Sequence, residues 1–188
     1  MQVFTKVLIA NRGEIAIRIA RAAQALGIHS VSIYAKEDEL SLHTRHTDQR
    51  IQLDQNTDPV AAYLNIDNIM QIAMDNSCDA IHPGYGFLSE NAELASACEA
   101  AGIIFVGPAT DTLKLFGNKV EARKLAASIG IPVVPGTAIA NPEQAKQFAD
   151  NNGFPVMVKA VAGGGGRGMR AVYSQDELDD AFLRCQSE

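Results

Sequence analysis

An α/β fold on a parallel sheet, followed by a smaller second unit, is what this sequence predicts, and three observations carry the expectation. Short apolar runs alternate with helical stripes from the N-terminus to about residue 106, the pattern of strands joined by crossover helices. Near residue 118 that pattern gives way to helices and a glycine-rich strand pair. The length of 188 residues corresponds to about 1.25 domains at roughly 150 residues each, one domain plus part of another.

Taken in order, residues 6–10 (Lys-Val-Leu-Ile-Ala) read as a buried strand. Ile15, Ile19, Ala22, Ala23 and Leu26 form a helical stripe closed by Gly27, in keeping with the glycine preference at helix ends. Residues 31–35 form the second strand, 36–49 a long polar connection, and 50–53 a short third strand. Ile66, Ile69, Met70, Ala73 and Met74 mark a helix, 79–82 a strand, 90–101 a helix and 103–106 another strand. Ser89 is placed as the N-cap of the 90–101 helix. Beyond 118, Val120, Ala122, Leu125 and Ala126 lie on a helix ending at Gly130. Another helix begins near 141–143, strands are expected at 155–160 and 170–173, and a last helix runs from Asp176 to at least Arg184. Ser174 with Glu177 has capping-box spacing for that helix. The expected division is 1–117 and 118–188.

Composition narrows the function classes. Apolar residues make up 47% and charged residues 20%, which excludes a disordered chain. No uncharged apolar run approaches the ~18 residues of a membrane span, and the first residues lack a signal-peptide pattern. A cytoplasmic location is therefore expected, with no membrane partner. The net charge of −6, from 16 Lys and Arg against 22 Asp and Glu, argues against a nucleic-acid partner. Cys78, Cys98 and Cys185 have no metal-binding spacing and read as small buried hydrophobes in a reducing compartment. His43 and His46 read as part of a solvated loop rather than a metal site.

Chemistry concentrates in three places. Gly163, Gly164, Gly165, Gly166 and Gly168 allow close backbone approach and positive φ, and their N–H groups can cradle phosphate. Glycines alone fit a surface hairpin equally well. Lys159 ends the preceding strand and Arg167 lies inside the loop; a cation ending an apolar strand needs water or an anion. The order strand, lysine, glycine loop, strand is not a dinucleotide fingerprint, which opens a helix, nor a Walker A loop, which ends in Lys-Ser/Thr. It is not a kinase loop either, where the lysine follows the glycines. The second place is the turn-rich segment His82-Pro83-Gly84-Tyr85-Gly86-Phe87-Leu88-Ser89-Glu90-Asn91, at the sheet edge where α/β proteins bind ligands. It also reads as a purely structural turn. The third is Lys119, at the start of a helix after Phe116-Gly117-Asn118.

Together these segments resemble the biotin carboxylase family of ATP-grasp ligases. The resemblance rests on residues 6–16 (Lys-Val-Leu-Ile-Ala-Asn-Arg-Gly-Glu-Ile-Ala), on 82–91, on Gly107-Pro108, on Gly117-Asn118-Lys119, and on Val158-Lys159-Ala160 with 163–170. It covers essentially the whole chain in the family's order. It implies a Rossmann-like parallel-sheet pre-ATP-grasp domain, then the start of an ATP-grasp lid subdomain whose flap is the glycine loop. It implies ATP and bicarbonate as substrates, Mg²⁺ or Mn²⁺ as cofactor, and biotin on a carrier protein or domain as carboxyl acceptor. A carboxyltransferase component would be a further partner, and the family often dimerises through the first domain, where Arg18 and Arg21 read either as interface residues or as solvated surface charges. Lys119 and Lys159 match family lysines that contact ATP, and Gly165 and Gly166 match the flap over its phosphates. The segment with Tyr85 and Glu90 borders the family's active site. The catalytic residues, metal-binding glutamates and adenine-contacting hinge of the family are expected beyond Glu188, so this chain alone is expected to be inactive. Two alternatives remain open: another ATP-grasp ligase of the carbamoyl-phosphate synthase kind, and a non-catalytic nucleotide-binding module.

Overall fold

Strand β1 (Lys6–Ile9) sits at the centre of the first unit because its residues can be buried on both faces. Val7 and Ile9 point to one side of the sheet and Leu8 to the other, as strand alternation requires. In the computed structural model, which describes residues 4–54, 58–159 and 168–186, β1 pairs with β2 (His29–Tyr34) and β4 (Ala80–His82). The edges are β3 (Gln49–Gln52) and β5 (Ile104–Phe105). The five strands run in the order β3-β2-β1-β4-β5, all parallel. This is the α/β parallel sheet the sequence predicts.

Helices cover both faces. Leu8, Val31, Ile33 and Ile81 pack with Ile69, Met70 and Ala73 of α3 (Ile66–Asp75) and with Leu94 and Cys98 of α4 (Ala92–Ala100). On the other face, Ala16, Ala20 and Ala23 of α1 (Gly13–Ala25) lie buried near Val7 and Ile9. Their spacing puts small side chains along one stripe of the helix. Each fully buried Leu or Ile here contributes about 1.5–3 kcal/mol relative to an exposed one.

Several elements depart from the sequence expectation. Helix α2 (Pro59–Leu64) was not foreseen, although Asp58 Oδ1 accepts N–H bonds from Val60 and Ala61 and a proline opens the first turn. Helix α5 (Thr110–Gly117) was likewise not foreseen. The connection after β2 is no solvated loop: it forms two 3₁₀ turns, Lys36–Asp38 and Leu42–Arg45, and buries Asp38, His43 and Thr44. The His43 ring bonds the Ile33 carbonyl through Nε2 at 3.2 Å. The cap of α4 is Asn91 rather than Ser89; its Oδ1 accepts the N–H groups of Glu93 and Leu94. All three cysteines are buried, and the Cys185 thiol donates to the Gly168 carbonyl at 3.5 Å. Among the described residues, no helix is long and apolar enough to cross a membrane.

The chain divides into two compact units, Met1–Lys119 and Val120–Glu188. Helix α6 (Lys119–Ser128) leads into the second unit, where α7 (Pro142–Asn152) and α8 (Leu178–Gln186) accompany an antiparallel pair, β6 (Val156–Lys159) and β7 (Met169–Val172). The core there is Ala145, Ala149, Val158, Val172, Leu178, Ala181 and Cys185. At the last helix the expected capping box is not formed: Ser174 makes no side-chain cap, and a 3₁₀ turn (Gln175–Glu177) precedes α8. Glu177 instead reaches back to accept the Tyr173 N–H at 2.9 Å.

Candidate functional site

From β1 the chain moves to β2 and β3 on one side, while β4 and β5 lie on the other. The gap between the carboxyl ends of β1 and β4 is thus the topological switch point, where open α/β sheets place ligands. Two segments meet there: Asn11-Arg12-Gly13 after β1, and residues 83–91 after β4. Asn11, only 2% exposed, ties them together. Its Nδ2 donates to the Pro83 carbonyl at 2.7 Å and the Tyr85 carbonyl at 3.0 Å, and its Oδ1 accepts the Arg12 N–H at 2.9 Å. Gly84 is required: its φ is +71°, and a Cβ would stand 2.6 Å from Ile15 Cγ2 and 2.7 Å from Asn11 Nδ2. The Gly84 N–H donates to His82 Nδ1 at 3.0 Å. Burial pushes the His82 pKa down, which favours the neutral ring this acceptor role needs.

Beside the switch point lies a polar cluster that the sequence reading did not single out. Arg12 Nη2 donates to Asp38 Oδ1 at 2.6 Å, Ser41 Oγ to the same oxygen at 3.0 Å, and the Tyr63 hydroxyl to Asp38 Oδ2 at 2.9 Å. The Tyr63 hydroxyl also accepts the Ala35 N–H at 3.2 Å. Burial alone would raise the Asp38 pKa, but the bonds from Arg12, Tyr63 and Ser41 outweigh it and hold the carboxyl below its ordinary value. For Tyr63, burial and the adjacent carboxylate push the phenol well above its usual range. The Arg12 guanidinium lies 5.8 Å from the Tyr63 ring centroid, and Phe87 stacks on that ring at 5.3 Å with 17° between planes. Only the Asp-Pro start of α2 could have drawn attention to Tyr63 beforehand. Nothing in the polar run 36–49 signals that Asp38 is buried.

The predicted phosphate-binding residues are placed as follows. Lys159 is the last residue of β6, opposite Met169 of β7, with its side chain exposed. Those two strands therefore flank the glycine-rich segment, whose Gly165 and Gly166 lie outside the described residues. Lys119 is the first residue of α6, also exposed, and closes the first unit. Among the described residues, no group of three His, Cys, Asp or Glu could hold a metal ion.

Residues 3–113 match the family model described as biotin carboxylase, N-terminal domain, and residues 118–188 match that of the carbamoyl-phosphate synthase L chain, ATP binding domain. The chain belongs to the biotin carboxylase family. Pyruvate carboxylase of Staphylococcus aureus is 50% identical over 190 residues, covering 100% of this chain and 16% of the relative. Human mitochondrial pyruvate carboxylase is 48% identical over 185 residues, covering 97% of this chain and 16% of the relative. The chain thus spans about 16% of the length of these relatives. Among solved structures, the biotin carboxylase domain dimer of Hydrogenobacter thermophilus 2-oxoglutarate carboxylase superposes with a TM-score of 0.92 at 39% identity. That match covers 100% of this chain and 42% of the other, which was determined with MgADP, ADP and bicarbonate. The parallel sheet thus lies within the stretch that matches the biotin carboxylase N-terminal domain, and β6–β7 lie within the stretch that matches the ATP binding domain.

Proposed function

We propose that this chain is the N-terminal portion of an enzyme that uses ATP and bicarbonate to carboxylate biotin on a carrier protein or domain. The observation that carries the reading is the joint match of both units, in order, to a biotin carboxylase first domain and an ATP-binding domain. The geometry supports it: Lys159 stands exposed at the end of a strand whose partner resumes just after the glycine-rich segment. In the reaction, a bicarbonate oxygen attacks the γ-phosphorus of ATP and the bond to the bridging oxygen of ADP breaks, giving carboxyphosphate. The carboxyl carbon then passes to N1 of biotin, which loses its proton, and phosphate leaves. Lys119 and Lys159 hold the phosphates and offset the charge that grows on the transferred oxygens. Gly165 and Gly166, which match the family's phosphate-binding glycines, are assigned to the same nucleotide.

A divalent cation, Mg²⁺ or Mn²⁺, would neutralise the nucleotide's phosphates. Among the described residues no ligand cluster for it is present, and the family resemblance assigns its ligands to the longer parent protein. The same reading gives the parent a carboxyltransferase partner and a cytoplasmic location. It also gives a homodimer contacting through the exposed Arg18 and Arg21 of α1, the Hydrogenobacter domain being a dimer. The match of residues 3–113 to the biotin carboxylase model favours this function over a carbamoyl-phosphate synthase. The test is formation of carboxybiotin from ¹⁴C-bicarbonate and ATP by the full-length parent. Carboxybiotin is the expected product, and ATP cleavage that ignores biotin would refute the reading. The purified 188-residue chain is expected to form none.

A further inference from the structure

The segment after β4 is built against local preference. Gly84 and Gly86 both have φ of +71°, and Phe87, which is not glycine, has φ of +43°. A non-glycine residue held there persists only when its surroundings over-determine it. Two anchors do so. Asn11 holds the start of the segment through the Pro83 and Tyr85 carbonyls, and Tyr63 meets its far side through the stack with Phe87. Tyr63 is 2% exposed and is itself pinned at three points. Its hydroxyl donates to Asp38 and accepts from the Ala35 N–H, while Arg12 lies over its ring and bonds the same carboxylate. Between the two anchors, Tyr85 is left 80% exposed.

We infer that Tyr63 is a positioning residue, which locks the 83–91 segment through Phe87 and so fixes this wall of the active site. The active-site role of the segment rests on the proposed function; its immobilisation by Tyr63 does not. Asp38 is then the support for Tyr63, and Arg12 links it back to the β1–α1 turn that also carries Asn11. The unforeseen helix α2 acquires a purpose, because it carries Tyr63 to this point. A loosened wall admits water to carboxyphosphate, so ATP is cleaved without biotin being carboxylated.

The test uses the full-length parent with Tyr63→Leu, Tyr63→Phe and Phe87→Ala. Phe87→Ala alters a residue at the surface of the stack, 36% exposed, and keeps the test available if Tyr63→Leu does not fold. Amide exchange over 84–89 is expected to quicken about fivefold to tenfold in Tyr63→Leu and Phe87→Ala, the factor matching the coupling of an aromatic pair, while β1 and β4 keep their protection. Moles of ATP cleaved per mole of carboxybiotin should rise at least about twofold in the same variants, a ratio that a smaller folded fraction cannot change. Tyr63→Phe keeps the stack but loses the bonds to Asp38 and the Ala35 N–H, so its exchange and ratio should fall between wild type and Tyr63→Leu. Unchanged exchange over 84–89 would overturn the positioning role, and so would a lower rate at an unchanged ratio. If the wild-type parent made no carboxybiotin, the proposed function would fall, and the exchange data would still decide whether Tyr63 locks the segment.

Discussion

The two units solve the burial problem differently. The first wraps a five-stranded sheet between helices, with Leu8, Ile33, Ile69, Ile81 and Leu94 essentially removed from water. It also buries a hydrogen-bonded carboxylate, Asp38. The second relies on Val158, Val172, Leu178 and Phe182 plus small residues, and α6 contributes no buried side chain. The switch point lies in the densely packed unit, whereas Lys159 lies in the thinly packed one. A turn held at positive φ needs over-determination by its surroundings, and dense packing supplies it.

Core truncation gives the largest effect with which to break this contrast. Leu8→Ala is expected to lose about 3–5 kcal/mol, and Leu178→Ala about 2–3 kcal/mol because a small core collapses around the gap more readily. Urea unfolding followed by amide exchange should show each loss confined to its own unit. Equal losses with shared unfolding would mean the two units are not energetically distinct.

Next comes the buried carboxylate. Asp38→Asn is expected to lose about 1–3 kcal/mol at pH 7, because Arg12 and Tyr63 both keep their donors but lose an ionised acceptor. The sign follows from the lowered folded pKa. The contribution is complete above the unfolded value of about 3.9 and fades as pH falls below it through the folded value. Urea midpoints at pH 7 and pH 3 check this: the gap between wild type and variant should shrink at the lower pH. A constant gap would remove the carboxylate's charge from the account.

The smallest effect separates conformation from contact at the switch point. Gly84 and Gly86 share a φ of +71°, but only Gly84 faces a close neighbour. Gly86→Ala should lose about 1–2 kcal/mol from the left-handed backbone alone. Gly84→Ala should lose more, by the displacement of Ile15 and Asn11. Equal melting shifts would show that the turn relaxes freely, contrary to a rigid wall.

These regions were unequally legible in the sequence. The parallel strands read clearly, because residues such as Val7, Leu8 and Ile9 form the continuous apolar run that two-sided burial demands. Lys159 read correctly as strand-ending because Val158 and Met157 precede it in such a run. Helix α2 is signalled only by Asp58-Pro59, because a six-residue helix is too short for apolar periodicity. Asp38 and His43 were not readable at all. Their burial is created by Arg12, Ser41, Tyr63 and the Ile33 carbonyl, partners distributed along the chain that no local pattern announces. For the same reason the family motif pointed to residues 82–91 without revealing what holds them in place.

The central claim is that the strand end at Lys159 serves ATP phosphates within a biotin carboxylase, and Lys159→Gln in the full-length parent tests it most directly. The side chain is exposed, so the substitution should leave folding intact. The loss of a charge-assisted contact corresponds to roughly 10- to 100-fold in kcat/KM for ATP in the carboxybiotin assay. A fall of that size with unchanged amide protection in both units is the expected result. Unchanged KM for ATP and unchanged kcat would contradict the account.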